Sequence, residues 1–288
     1  MQNKARRILS LIFVATIGHG GQAEKSCATR ACVMTVFIHG TVMPNPSWTA
    51  LGSSVKHLLF KKKRKNQSAY QKYLEEVKKK GIYRRQPVNG LGLKTIDLAE
   101  SVRKKEPRYI AQQTAIFYKK VYDHVYEGHD NPLCFYTFGW HGELRNKRRL
   151  EAAEKLYEAI VLEKQKLETE TKLPVLINLV THSHGGNVAL NLEPIEQKNK
   201  KNLKIDKLIM FGCPVQRETE GFVSSSVFKK IYHVYSKGDT IQVVDTVSTK
   251  DFFSRREFGR GKHKVLLPKN LWQISVEAGK IKPAHAEL

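Results

Sequence analysis

Short apolar runs at residues 32–38, 133–138, 175–180, 203–211, 231–235 and 271–276 alternate with longer stretches of helical character, and most of the runs stop abruptly at a glycine-bearing turn. Runs of this length, rich in β-branched and aromatic residues, have the span of single buried strands. The intervening stretch 146–168 places Leu150, Ala153, Tyr157, Ile160 and Leu167 at helical spacing, and shorter helices are predicted over 185–192 and around 223–228. Strands that are apolar throughout must be covered on both faces, and strand–helix alternation achieves this with a largely parallel sheet between helical layers. The expected fold class is therefore α/β. A chain of 288 residues can bury such a core, and 41% apolar with 27% charged residues fits a folded soluble protein rather than a disordered chain or a polytopic membrane protein.

Between the first and second runs lie about ninety residues with no comparable strand signal, and they read as mostly helical. Ser68 with Gln71 forms a capping-box pattern, Tyr70, Tyr73, Leu74 and Val77 make one stripe, and Gly81 is the stop. A second helix is predicted over 108–127 with Ile110, Thr114, Phe117, Val121 and Val125 inward and Gly128 at its left-handed cap. We expect a basic helical insertion or lid over about 42–130. Residues 54–130 hold 19 basic against 8 acidic residues, and Lys61, Lys62, Lys63, Arg64 and Lys65 concentrate the excess.

The whole chain has a formal charge of +23, so some face must be strongly positive. A solvated lysine-rich loop accounts for the block at 61–65, and so does a contact with phosphates or an anionic membrane. There is no zinc-finger spacing, helix-turn-helix or RNA-recognition signature, so nucleic acid is not the expected partner.

The N-terminus carries Lys4, Arg6 and Arg7, then ten nearly uninterrupted apolar residues and a small-residue stretch ending near Ala23. This is the layout of a signal peptide, and the apolar run is too short to span a bilayer. The expected organisation is a signal segment at 1–23 followed by one domain at 24–288. Export or membrane association is the expected location, with the cytoplasm as the alternative. Cys27 and Cys32 are close enough to pair outside the cytosol, whereas Cys134 and Cys213 fall in apolar runs where a thiol packs as a small hydrophobe.

The residues Thr181-His182-Ser183-His184-Gly185-Gly186 stand between an apolar run and a helix. A serine on a sharp strand-to-helix turn has its hydroxyl exposed above the sheet, and small neighbours let the two backbones approach. Ser183 is the candidate nucleophile. Its proton needs a base, and the base needs an orienting acid. Downstream, Asp239 directly follows the run at 231–235 and is the first candidate acid, with Asp245 as the alternative and Asp251 the weakest.

His285 follows the last run by a short loop and is the first candidate base, with His263 as the alternative. His233 lies within a strand and is expected to be structural, while His182 and His184 flank the serine and point away from it. The oxyanion formed on attack needs two donors. His184 N–H is one by position, and Thr41 or Gly40 at the end of the first run supplies the other. No His-Glu-x-x-His helix or ligand cluster indicates a metal, and no cofactor motif is present.

These segments resemble the α/β-hydrolase superfamily, in its lipase and esterase branch. Val36-Phe37-Ile38-His39-Gly40-Thr41 resembles the strand and oxyanion segment, and Val180 to Asn187 the nucleophile turn. Phe211-Gly212-Cys213-Pro214 resembles the strand end that follows, and Tyr235 to Ile241 the acid turn. The resemblance spans residues 33–288, with nothing diagnostic between 41 and 130. It departs at Thr181, where the family usually has glycine, and beyond His285, where the family has a further helix; the latter keeps His263 open. The resemblance implies a serine esterase or lipase acting through an acyl-enzyme on an ester or lipid, with an anionic membrane surface as a further partner. Acyl transfer, and a noncatalytic protein of the same fold binding anionic membrane or nucleic acid, are the alternatives.

Overall fold

The computed structural model describes residues 30–41, 90–99, 110–126, 130–239, 242–243, 254–259 and 266–277. The expected signal segment, the helix expected over 68–81, the block at 61–65 and Cys27 lie outside them.

Seven strands form one sheet: β1 (Cys32–Ile38), β2 (Gly92–Thr95), β3 (Leu133–Gly139), β4 (Val175–His182), β5 (Lys207–Phe211), β6 (Ile231–Tyr235) and β7 (Leu271–Ser275). Their order is β2-β3-β1-β4-β5-β6-β7. Every neighbouring pair is parallel except β2 with β3. The six apolar runs supply the six parallel strands, so the α/β class with a largely parallel sheet stands.

β2 departs from the helical reading of the insertion. Its Gly-Leu-Lys-Thr sequence has no apolar periodicity, and only pairing with β3 at the sheet edge makes it a strand. The run at 203–211 also pairs regularly only from Lys207, with Ile205 making an isolated bridge to Phe228.

Four helices lie among the described residues: α1 (Ile110–Val125), α2 (Asn146–Thr171), α3 (Gly185–Leu190) and α4 (Leu192–Asn199). Alternate residues of β1 face opposite layers. Cys32, Met34, Val36 and Ile38 join a core with α2, α3 and α4, while Val33 and Phe37 join a core with α1. Both faces of the sheet are thereby covered, as fully apolar strands require.

The helices differ from expectation in detail. α1 buries Ala111, Ala115, Tyr118, Val121 and Tyr122, a face turned by about one residue from the predicted stripe, roughly 100°. The small alanines let the helix approach the sheet, and the Tyr118 hydroxyl accepts a bond from Asn178 Nδ2 on β4 at 3.2 Å. On α2 the fully buried Arg149 shares the inward face, while Leu150 is only half-buried. Its guanidinium donates to the carbonyl of Leu144 and, at 2.6 Å, to Gln216 Oε1. The helix expected over 185–192 is divided at Asn191, whose Nδ2 donates to Asn187 O at 2.8 Å. In place of a helix around 223–228 there is a 3-10 turn at Glu220–Ser224.

Cys32 is fully buried and meets Cys134 Sγ at 3.8 Å. Cys213 lies just past β5 rather than within it, and is also buried. All three are free thiols.

The strand order locates a crevice. From β1 the chain next joins the parallel sheet at β3 on one side, whereas from β4 it proceeds to β5 on the other. Where neighbouring strands send their connections in opposite directions, a cleft opens beyond their carboxyl ends. Here those ends are Ile38 and His182, leading into Gly40-Thr41 and Ser183. Among the described residues no helix is long and apolar enough to cross a membrane.

Candidate functional site

Ser183 leaves β4 with φ of 51°, the left-handed region that a non-glycine residue enters only at a cost. Two bonds hold the turn: Ser183 N–H donates to Phe211 O at 2.8 Å, and Gly186 N–H donates to Ser183 O at 3.0 Å. Close approach explains the small residues around it. A Cβ on Gly40 would lie 2.5 Å from Ser183 Cβ and 2.9 Å from His182 O, and one on Gly185 would lie 2.6 Å from Ile38 O and 2.7 Å from His39 O. The β1 turn and the β4 turn are thus pressed together, backbone against backbone. Thr181, at the position of the expected glycine, is accommodated in the sheet with its side chain buried. Ser183 is only 6% exposed. The expected hydroxyl standing clear above the sheet is therefore corrected to a residue low in the crevice, because Gly40 packs directly on its Cβ.

His39 controls the β1 turn. Its Nε2 accepts the Trp140 backbone N–H at 3.1 Å, which leaves Nδ1 as the protonated nitrogen, donating to Gly40 O at 2.6 Å. The indole Nε1–H of Trp140 returns a bond to His39 O at 2.8 Å, and the two rings stack at 5.8 Å. Burial pushes the His39 pKa down to about 4, so the imidazole is neutral at physiological pH. Holding Gly40 O fixes the plane of the Gly40–Thr41 peptide, and in a trans peptide the Thr41 N–H points opposite that oxygen. The orientation of one expected oxyanion donor is therefore set by His39. Thr41 Oγ1 is buried without a hydrogen-bond partner among the described residues.

Asp239 stands at the same edge, beyond β6, and is fully buried. Its N–H donates to Ser236 O at 3.2 Å, its Oδ1 accepts Gln242 N–H at 2.9 Å, and its carbonyl accepts Arg256 Nε at 2.9 Å. Gln242 Nε2 also donates to Cys213 O at 2.6 Å, which joins the Asp239 turn to the end of β5. From there Asn187 Nδ2 reaches Pro214 O at 3.0 Å, and Asn187 Oδ1 accepts the Thr219 hydroxyl at 2.6 Å. A chain of buried polar contacts thus runs from α3, next to Ser183, to the Asp239 turn.

The structure brings Gly40, Thr41, Ser183, His184 and Asp239 to one sheet edge. His285, His263, Asp245 and Asp251 lie outside the described residues. His184 is buried with Nδ1 3.5 Å from Asn187 Nδ2, and its backbone amide adjoins the nucleophile. His233 is structural: its Nε2–H donates to Arg256 O at 2.7 Å, its ring packs on Phe258 at 5.0 Å, and burial lowers its pKa to about 4.

Sequence reasoning missed Gln242 and the roles of His39, Trp140 and Thr219. The dipeptide His39-Gly40 before a threonine was the available signal for His39. A glutamine three residues past the acid gives none. Among the described residues no three His, Cys, Asp or Glu side chains gather into a group that could hold a metal.

Comparison of the chain with known protein families, with curated proteins and with solved structures found no match.

Proposed function

We propose that the chain is a serine-dependent hydrolase of carboxylic esters or lipids with an α/β-hydrolase fold, working through an acyl-enzyme. The observation that carries this reading is Ser183 at φ 51° between a parallel strand and a helix, pressed against the Gly40-Thr41 turn at the crevice between β1 and β4. A serine held in so costly a backbone conformation sits, 6% exposed, beneath the β1–β4 switch point, where the strand order leads a cleft to be expected. The order Ser183, Asp239, His285 along the chain is the one this arrangement uses.

In this mechanism His285, with His263 as the alternative, takes the Ser183 hydroxyl proton as the oxygen bonds to the ester carbonyl carbon. Asp239 orients the imidazole and stabilises its cationic form. The negative charge that develops on the carbonyl oxygen is received by the N–H groups of Thr41 and His184, donors of a kind that each contribute on the order of 100-fold to the rate. Collapse breaks the bond to the alkoxy group, which leaves as alcohol with the proton from histidine. Water then attacks the acyl-serine by the same route and releases the carboxylic acid.

The test is labelling with a fluorophosphonate and mass-spectrometric localisation of the adduct. Labelling at Ser183, abolished in Ser183→Ala and in His285→Ala but retained in His263→Ala, is expected. Labelling that persists in Ser183→Ala would overturn the proposal, and loss with His263→Ala alone would reassign the base.

A further inference from the structure

The amino ends of the parallel strands form the edge opposite the crevice, and its charge is one-sided. Lys172 precedes β4, Lys198, Lys200 and Lys201 lie at and after the end of α4 on the way to β5, Lys229 precedes β6, and Lys269 precedes β7; all six are exposed. The edge is continuous, since Lys229 N–H donates to Ile205 O at 2.9 Å and Ile231 N–H donates to Asn270 O at 2.8 Å.

Of the carboxylates on this edge, Glu170 and Asp130 are exposed, while Asp206 and Glu196 are held by neighbouring groups. Asp206 accepts Ile177 N–H at 2.8 Å and the Lys229 ammonium at 2.6 Å. Glu196 accepts the Tyr157 hydroxyl at 2.7 Å and Asn202 N–H at 2.8 Å. What faces outward is mostly cationic.

Large apolar side chains stand on the same edge. Leu266 is 90% exposed and Leu267 39%, three and two residues before Lys269, and Leu176 near the start of β4 is 38% exposed. A phosphate polymer offers such leucines nothing, because its recognition adds base edges or stacking to charge. Lysines sharing an edge with an exposed leucine match the interface of a bilayer, where headgroups take the cations and the acyl boundary takes the apolar tip.

We propose that this edge docks on an anionic lipid bilayer, with the lysines against the headgroups and Leu266 at the acyl boundary. A strand of seven residues spans about 23 Å, so a bilayer bound here lies that far from Ser183. The membrane anchors the protein with its crevice facing away, and substrate reaches Ser183 from the aqueous side. Docking is independent of the chemistry proposed for the crevice.

The experiment is co-sedimentation of the full chain with phosphatidylcholine vesicles, with and without about one third phosphatidylserine. Binding only to the anionic vesicles, weakened by salt, is expected. Replacing Lys198, Lys200 and Lys201 with Gln should weaken it about 100-fold, at about fivefold per lysine near an anionic surface. Leu266→Ser should weaken it roughly tenfold. Lys172→Gln with Lys269→Gln serves as a second, independent pair with the same direction. Unaltered binding in both lysine sets would overturn the proposal, as would loss only when Lys61 to Lys65 are neutralised. Binding of a DNA duplex that the lysine variants abolish, with vesicle binding indifferent to Leu266→Ser, would also overturn it in favour of a polyanion site.

Discussion

The two ends of the sheet are built on opposite principles. At the carboxyl ends, turns approach within backbone contact and many polar groups are buried in hydrogen bonds, as with Gly40 against Ser183 and Gln242 between Asp239 and Cys213. At the amino ends, most of the lysines stand in solvent, while Asp206 and Glu196 are held by neighbouring groups. The first arrangement is intolerant of added atoms and of unpaired groups, while the second can change its side chains freely without touching the core. A sheet edge that must hold reacting groups in register has to be rigid, and one that meets a deformable surface does not.

Acidification tests this contrast most severely. His39 and His233 are held neutral with pKa values near 4, against about 6.5 in an unfolded chain. The unfolded state therefore binds more protons between these values. Stability from both groups is fully present above pH 6.5 and falls as pH drops toward 4, by a few kcal/mol for each. Urea unfolding across this range measures it, and His233→Phe should flatten the profile relative to the parent chain.

Next in size is Gly40→Ala, which drives a methyl group into Ser183 and His182. A loss of about 3 kcal/mol by denaturant unfolding is expected, together with loss of fluorophosphonate labelling. His39→Leu removes the bond that orients the Gly40–Thr41 peptide. The expected outcome is a labelling rate reduced about 100-fold, with KM for a soluble ester unchanged because substrate does not touch the ring.

Gln242→Ala leaves Cys213 O without its donor and removes the brace between the Asp239 turn and β5. About 1–3 kcal/mol should be lost, read as a lowered urea midpoint. The smallest effect belongs to the other edge. The triple change of Lys198, Lys200 and Lys201 to Gln should move stability by less than about 0.5 kcal/mol. A large loss there would break the contrast between the two ends.

Much of the parallel sheet was readable from local pattern, since each of its strands is an apolar run long enough to be buried on both faces. β2 was not, because Gly92-Leu93-Lys94-Thr95 becomes a strand only through the edge that β3 offers it. The face of α1 was misread by one position: Ala115 and Tyr118 carry little weight in an apolar count, yet one permits close packing and the other finds Asn178. Arg149 was hidden by its charge, and its burial is stabilised by acceptors from two separate loops. At the candidate site, Ser183, Asp239 and the Gly40-Thr41 turn were legible because each ends a strand, whereas the network through Gln242, Asn187 and Thr219 joins residues distant in sequence.

From its sequence alone the chain specifies alternating strands and helices, and a serine on a turn between the two. Periodicity and steric crowding act over a few residues and are written locally. Which turns become neighbours, which histidine nitrogen keeps its proton, and which edge collects the exposed lysines were decided by the strand order. That order brings together groups that no local pattern connects, and it sets the burial on which their charge and hydrogen bonding depend.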